Sequence, residues 1–162
     1  MKLALLATLC LAVACAEAPT ERQTIQMPGS LEGLPFSTAV QVDDVLYLSG
    51  QVGTVPGTNE LIEGGVAAET RQTLENIKSV LEYAGSSIDH VFKCTVFLAD
   101  IAEFQDMNAV YRTFFPEDPP ARSTVAGSGS SARVEPRSTA IRSCCWRWPG
   151  TTTTSSTWPA RR

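Results

Sequence analysis

Four short stretches carry side chains able to do chemistry. Arg122 follows the rigid Pro119-Pro120 pair and opens Ser123-Thr124-Val125, a run with strand character. A guanidinium at the start of a stiff strand is suited to bidentate capture of a carboxylate. Taken singly, an arginine is most often a solvated surface residue, so Arg122 needs neighbours to make a site. Ser49-Gly50-Gln51 ends an apolar run with a glycine, where a ligand can approach backbone closely or where the chain simply turns. Asn108 and Tyr111 are spaced i, i+3, which on a helix aims an amide and a phenol at one cleft. Tyr111 alone reads more readily as core. Glu135 is the carboxylate of the fragment Arg133-Val134-Glu135, and its alternative is a solvated edge residue.

The remaining chemistry is narrowed by what the sequence lacks. There is no P-loop, GxGxxG, nucleophile elbow or paired metal carboxylate motif. The five cysteines show no CxxC or Cys/His spacing, so a zinc site is unsupported. His90, the single histidine, stands beside Asp89 in a connection and is read as a loop residue rather than part of a triad. A net charge of −4 argues against a nucleic-acid partner, because phosphate neutralisation needs a basic face. A small-molecule site around Arg122 is the function class these residues leave.

The elements that position these residues follow from the hydrophobic period. FSTAVQVDDVLYLSG alternates as a strand pair, 38–42 and 45–49, turning at Asp43-Asp44. QVGTVPGTNELIEGG reads as a loop carrying a short strand. From Val66 to Ala84 the period becomes helical, with Thr70, Leu74, Ile77, Leu81 and Ala84 along one face and Gly85 as the stop. HVFKCTVFL, residues 90–98, is the strongest strand. Asp100 caps a second helix carrying Phe104, Met107, Val110, Tyr111 and Phe114, ended by Pro116, Pro119 and Pro120. This order gives an α+β fold with helices on one face of a mixed sheet.

The ends differ from this body. MKLALLATLCLAVACAEAPTE has the layout of a secretory signal peptide: a lysine, an apolar run too short to span a membrane, then small residues. Residues 1–18 are therefore set apart from the fold, and 19–33 form a polar lead. The expected location is secreted or periplasmic, with lipid anchoring at Cys15 left open. From Pro136 to Arg162 there is no acidic residue, lysine or leucine, but five arginines and three tryptophans, and no strand or helix period. Residues 136–162 are accordingly expected to be a disordered tail foreign to the domain.

LPFSTAV, LYLSGQVG, AAETRQTLENIKSVLEYAGSSIDHV, KCTVFLADIAEFQDMNAVYRTFF and PPARSTV together resemble the RidA/YjgF family of enamine/imine deaminases, in order and spacing, from about Leu34 to Val125. The resemblance implies a chorismate-mutase-like fold over 34–135, a mixed β-sheet with two helices packed on one face. It also implies a homotrimer with ligand clefts between subunits. By the same resemblance Arg122 binds the carboxylate of a 2-imino or 2-oxo acid. Ser49, Gly50, Asn108, Phe36 and Tyr111 line the cleft, and Glu135 orients water or moves a proton. The implied reaction, hydrolysis of a 2-imino acid to a 2-oxo acid and ammonia, needs no cofactor or metal.

Departures from the family pattern are specific. Phe36 replaces the aromatic that carries a phenol, and Thr124 stands where some members have cysteine. Between Arg122 and Glu135 the chain is about two residues shorter than the pattern, enough to put a strand out of register. Pro136 then falls where the last strand should continue, and proline cannot donate to a central ladder. A two-base shift under one codon choice for residues 136–140 restores a family-like run, so the tail is read as the product of an altered reading frame. The alternatives to an enzyme are a non-catalytic small-molecule-binding or chaperone-like trimer, and a defective family member.

Overall fold

The computed structural model describes residues 21–30, 33, 35–126 and 140–147. In chain order the elements are β1 (Arg22–Ile25), β2 (Ala39–Val42), β3 (Val45–Leu48), β4 (Gln51–Val52), α1 (Gly65–Tyr83), β5 (Val91–Leu98), α2 (Phe104–Phe114), β6 (Ala121–Ala126) and β7 (Ala140–Arg147). The strands form one sheet in the order β1-β2-β3-β7-β5-β6, with β4 continuing the line of β3 along β7. β5 and β6 run parallel across the α2 crossover and the other pairs are antiparallel, so the sheet is mixed.

The alternation expected of half-buried strands sets the layers. On one face Ala39, Leu46, Leu48, Cys94, Val96 and Leu98 are buried against the helices. α1 contributes Leu74, Ile77, Val80 and Leu81, and α2 contributes Met107 and Tyr111, to the same core. The opposite face keeps Tyr47 at 48% and Val125 at 42% exposure. The α+β architecture, with two helices on one face of a mixed sheet, is the one the sequence reading reached.

Local signals explain the boundaries. Asp43 takes a positive φ of 51° in the β2–β3 turn, a conformation aspartate tolerates. α1 ends where Gly85 adopts φ 81°, its amide donating to the Glu82 carbonyl at 2.9 Å, while the Ser86 amide reaches the Leu81 carbonyl at 2.8 Å. Asp100 accepts from the Ala102 amide at 2.9 Å and starts the 3-10 turn that leads into α2. Gly53 has a tertiary role. A Cβ placed there would lie 2.7 Å from both the Cα and the carbonyl oxygen of Glu69, so only glycine lets α1 come this close to the sheet. Asn76 locks the same approach, donating to the carbonyls of Val52 at 3.1 Å and Thr54 at 3.0 Å.

Two expectations are corrected. The lead segment contains a strand, β1, paired with β2 from Arg22 opposite Val42 to Ile25 opposite Ala39. Its four residues are short and polar because it is an edge strand, exposed along most of its length. More consequentially, Ala140–Arg147 is not part of a structureless tail. It is β7, between β3 and β5 in the sheet, so the domain reaches beyond residue 135. Its register shifts twice against β5, between Val91 and Lys93 and between Lys93 and Thr95, and these irregularities accommodate a run without clean alternation. The expected signal peptide, Glu135 and Pro136 lie outside the described residues. Among the described residues no helix is long and apolar enough to cross a membrane.

Candidate functional site

Arg122 occupies the second position of β6, opposite Cys94 of β5. Pro120, just before the strand, is buried and anchors the entry of β6. The half-buried Arg122 side chain runs beneath α2. Its guanidinium carbon lies 4.5 Å from the Tyr111 ring centroid and 5.6 Å from that of Phe104. Nη1 sits 4.0 Å from the Met107 sulfur. Among the described residues no carboxylate lies within ion-pairing distance of this guanidinium. A cation partly withdrawn from water onto aromatic and thioether surface retains its capacity to bind an external anion.

α2 supplies the rest of this corner. Phe104, Asn108 and Tyr111 recur at i, i+4 and i+7, one stripe of the helix, and Asn108 is half-buried. Tyr111 sits beneath this cation as part of the core, the reading its sequence position favours when taken alone. At 4% exposure it is the floor under Arg122, not a phenol presented to a ligand. Its ring is held in turn by Phe115, centroid to centroid 4.7 Å at a tilt of 38°.

Ser49, Gly50 and Phe36 form a second corner. The Ser49 hydroxyl donates to the Ser37 carbonyl at 2.6 Å and the Ser49 amide donates to the Thr38 carbonyl at 3.0 Å, clasping the segment after Phe36 to the end of β3. Phe36 projects with 55% of its surface exposed, and Gly50 is exposed beside the clasp. The register fixes the separation from Arg122. Tyr47, Cys145, Lys93 and Ala121 form one row across the sheet, and Gln51, Ile141, Val96 and Thr124 form another. Ser49 and Arg122 lie between these rows at opposite ends, three strand spacings apart, roughly 14 Å. One chain therefore brings Arg122, Asn108 and Tyr111 together, and Phe36, Ser49 and Gly50 together, but does not join the two groups.

Burial and then the neighbouring charges of Asp100, Glu69 and Asp106 raise the Glu103 carboxyl above its ordinary range. Asp100, Glu103 and Asp106 lie at the start of α2, and Glu69 lies on α1. Among the described residues no group of His, Cys, Asp and Glu is placed to hold a metal ion. Sequence reasoning missed Phe104 and Met107 as the bed of Arg122, because their helical spacing reads equally well as core.

A mixed sheet with two helices on one face is the fold of the RidA/YjgF proteins, and the chain belongs to that family. The family profile described as Endoribonuclease L-PSP matches residues 30–140. The human 2-iminobutanoate/2-iminopropanoate deaminase is 40% identical over 121 residues, covering 74% of this chain and 87% of the human protein. Protein DfrA of Myxococcus xanthus is 44% identical over 107 residues, 62% of this chain and 82% of its own length. Among solved structures, RidA from the Antarctic bacterium Psychrobacter sp. PAMC 21119 superposes with a TM-score of 0.68 at 33% identity, covering 77% of this chain and 98% of that one.

Proposed function

We propose that the protein is an imine deaminase that hydrolyses small 2-imino acids to 2-oxo acids and ammonia. The observation that carries this reading is Arg122, half-buried on Phe104, Met107 and Tyr111 with no carboxylate at ion-pairing distance among the described residues. Its fork takes the substrate carboxylate, which fixes the adjacent C=N carbon in place. Water adds to that carbon, a proton moves to nitrogen, and the C–N bond breaks as the C=O forms and ammonia leaves. Asn108 shares the helix stripe facing this corner and supplies an amide to the ligand. Glu135 is the proposed carboxylate that orients the water. The net charge of −4 favours a small anion over an RNA substrate.

The working unit in this reading is a homotrimer. Support comes from the two separated corners, which need a neighbouring copy to meet, and from the uncovered sheet face. Val40, Val45 and Phe97 are half-buried there and Tyr47 and Val125 exposed, an apolar surface suited to a subunit interface. The N-terminal segment adds export as the proposed location, checked by sequencing the mature N-terminus from fractionated cells.

The test is ammonia release from freshly generated 2-aminoacrylate, with and without the protein, followed by the same assay on Arg122→Ala. Acceleration that disappears in the variant supports the reading. An equally active variant refutes the site. Saturable binding of 2-oxobutanoate without turnover selects the non-catalytic trimer instead.

A further inference from the structure

We infer that Tyr111 is a positioning residue for the carboxylate-binding arginine, acting through its ring face and not through its hydroxyl. The inference rests on the deaminase reading for its kinetic consequence, but its geometry stands separately. Arginine has a long flexible side chain, and holding it in one orientation costs rotamer entropy. A guanidinium already fixed before the ligand arrives loses less on binding and captures a carboxylate more tightly.

The structure supplies such a fixture in series. Phe115, 7% exposed, packs on Tyr111 at 4.7 Å. Tyr111 lies under the guanidinium carbon at 4.5 Å, and Phe104 adds a second ring at 5.6 Å. Both distances fall within cation–π range. The thioether of Met107 occupies the space beside Nη1. Because Tyr111 is 4% exposed, its hydroxyl does not line an open cleft, whereas its ring touches the group that binds. Ring and hydroxyl therefore make opposite predictions for a phenylalanine substitution.

The experiment compares Tyr111→Phe and Tyr111→Leu with the wild-type protein by 2-oxobutanoate calorimetry, steady-state deamination and the NMR signal of the Arg122 Nε–H group. Tyr111→Leu is expected to weaken 2-oxobutanoate binding and raise KM about tenfold, with kcat changed less than about twofold. Tyr111→Phe is expected to match wild type. The Arg122 Nε–H resonance should carry an upfield ring-current shift in wild type and Tyr111→Phe, lost in Tyr111→Leu.

Should Tyr111→Leu fail to fold, Phe104→Leu reads the same effect at a half-buried position, with about a threefold rise in KM. A folded Tyr111→Leu protein with wild-type affinity and an unmoved Arg122 signal overturns the inference, as does a Tyr111→Phe protein as impaired as the leucine variant. Wild-type protein that neither binds nor turns over refutes the deaminase reading, while the NMR comparison still decides the positioning role.

Discussion

The two corners of the sheet are made of opposite materials. At the β6 end a cation rests on aromatic rings and a thioether, half withdrawn from water. At the β3 end a neutral hydroxyl clasp, Ser49 to Ser37, holds an exposed phenylalanine and an exposed glycine. The first corner carries a positive charge on an apolar bed. The second offers an exposed ring and a neutral hydroxyl. In the proposed trimer these two materials would meet across a subunit boundary.

The comparison can be broken most decisively by separating the corners genetically. Arg122→Ala is expected to lower kcat/KM by at least about 100-fold, the scale of a lost charged hydrogen-bond pair in a partly buried site. Phe36→Ala should also lower activity, by removing the other wall. Trimers reassembled from an equal mixture of the two variants should recover about one intact site in four, since a site then draws Arg122 from one copy and Phe36 from the next. No recovery on mixing places both corners' work within one chain.

A smaller effect separates the scaffold from the site. Gly53→Ala forces a methyl group into the Glu69 backbone and should cost about 1–3 kcal/mol, read as a lower midpoint in urea with the slope unchanged. Ser49→Ala opens the clasp and should cost about 1 kcal/mol by the same measurement, without shifting the Arg122 NMR signal.

The smallest effect concerns Glu103. Its folded-state carboxyl binds protons more tightly than in the unfolded chain, by burial first and then its acidic neighbours. Its contribution to stability is therefore fully present below the unfolded pKa and is lost as pH rises through the raised folded value. Glu103→Gln should accordingly stabilise the protein at neutral pH by no more than about 0.5 kcal/mol, with the gain fading at acid pH. A gain that persists unchanged at low pH would sink the electrostatic explanation.

How legible the fold was varies by element, for physical reasons. β5 reads plainly as a strand because Cys94, Val96 and Leu98 alternate toward the core, and α1 because Leu74, Ile77 and Leu81 follow the helical period. β7 is the same length as β5 and its neighbour in the sheet, yet its residues carry no such period, because two register shifts against β5 interrupt the alternation. Its place is set by pairing with strands far away in sequence, which local pattern does not encode. The place of Arg122 at the start of a strand was legible from its proline platform. The bed beneath it was not, since Phe104, Met107 and Tyr111 repeat as any buried helix face does. Gly53 and Asn76 were silent for a similar reason, as each acts only through a contact made after α1 has docked.

The position of β7 bears on how the protein is made. Residues 45–52 and 91–98 flank a gap in the sheet that only residues 140–147 fill. During synthesis both flanking strands emerge from the ribosome with that gap open, exposing hydrogen-bonding edges until the last strand arrives. Closure is thus a late, long-range event, and chaperone protection of the nascent chain matters most in the interval between the completion of β6 and the arrival of β7.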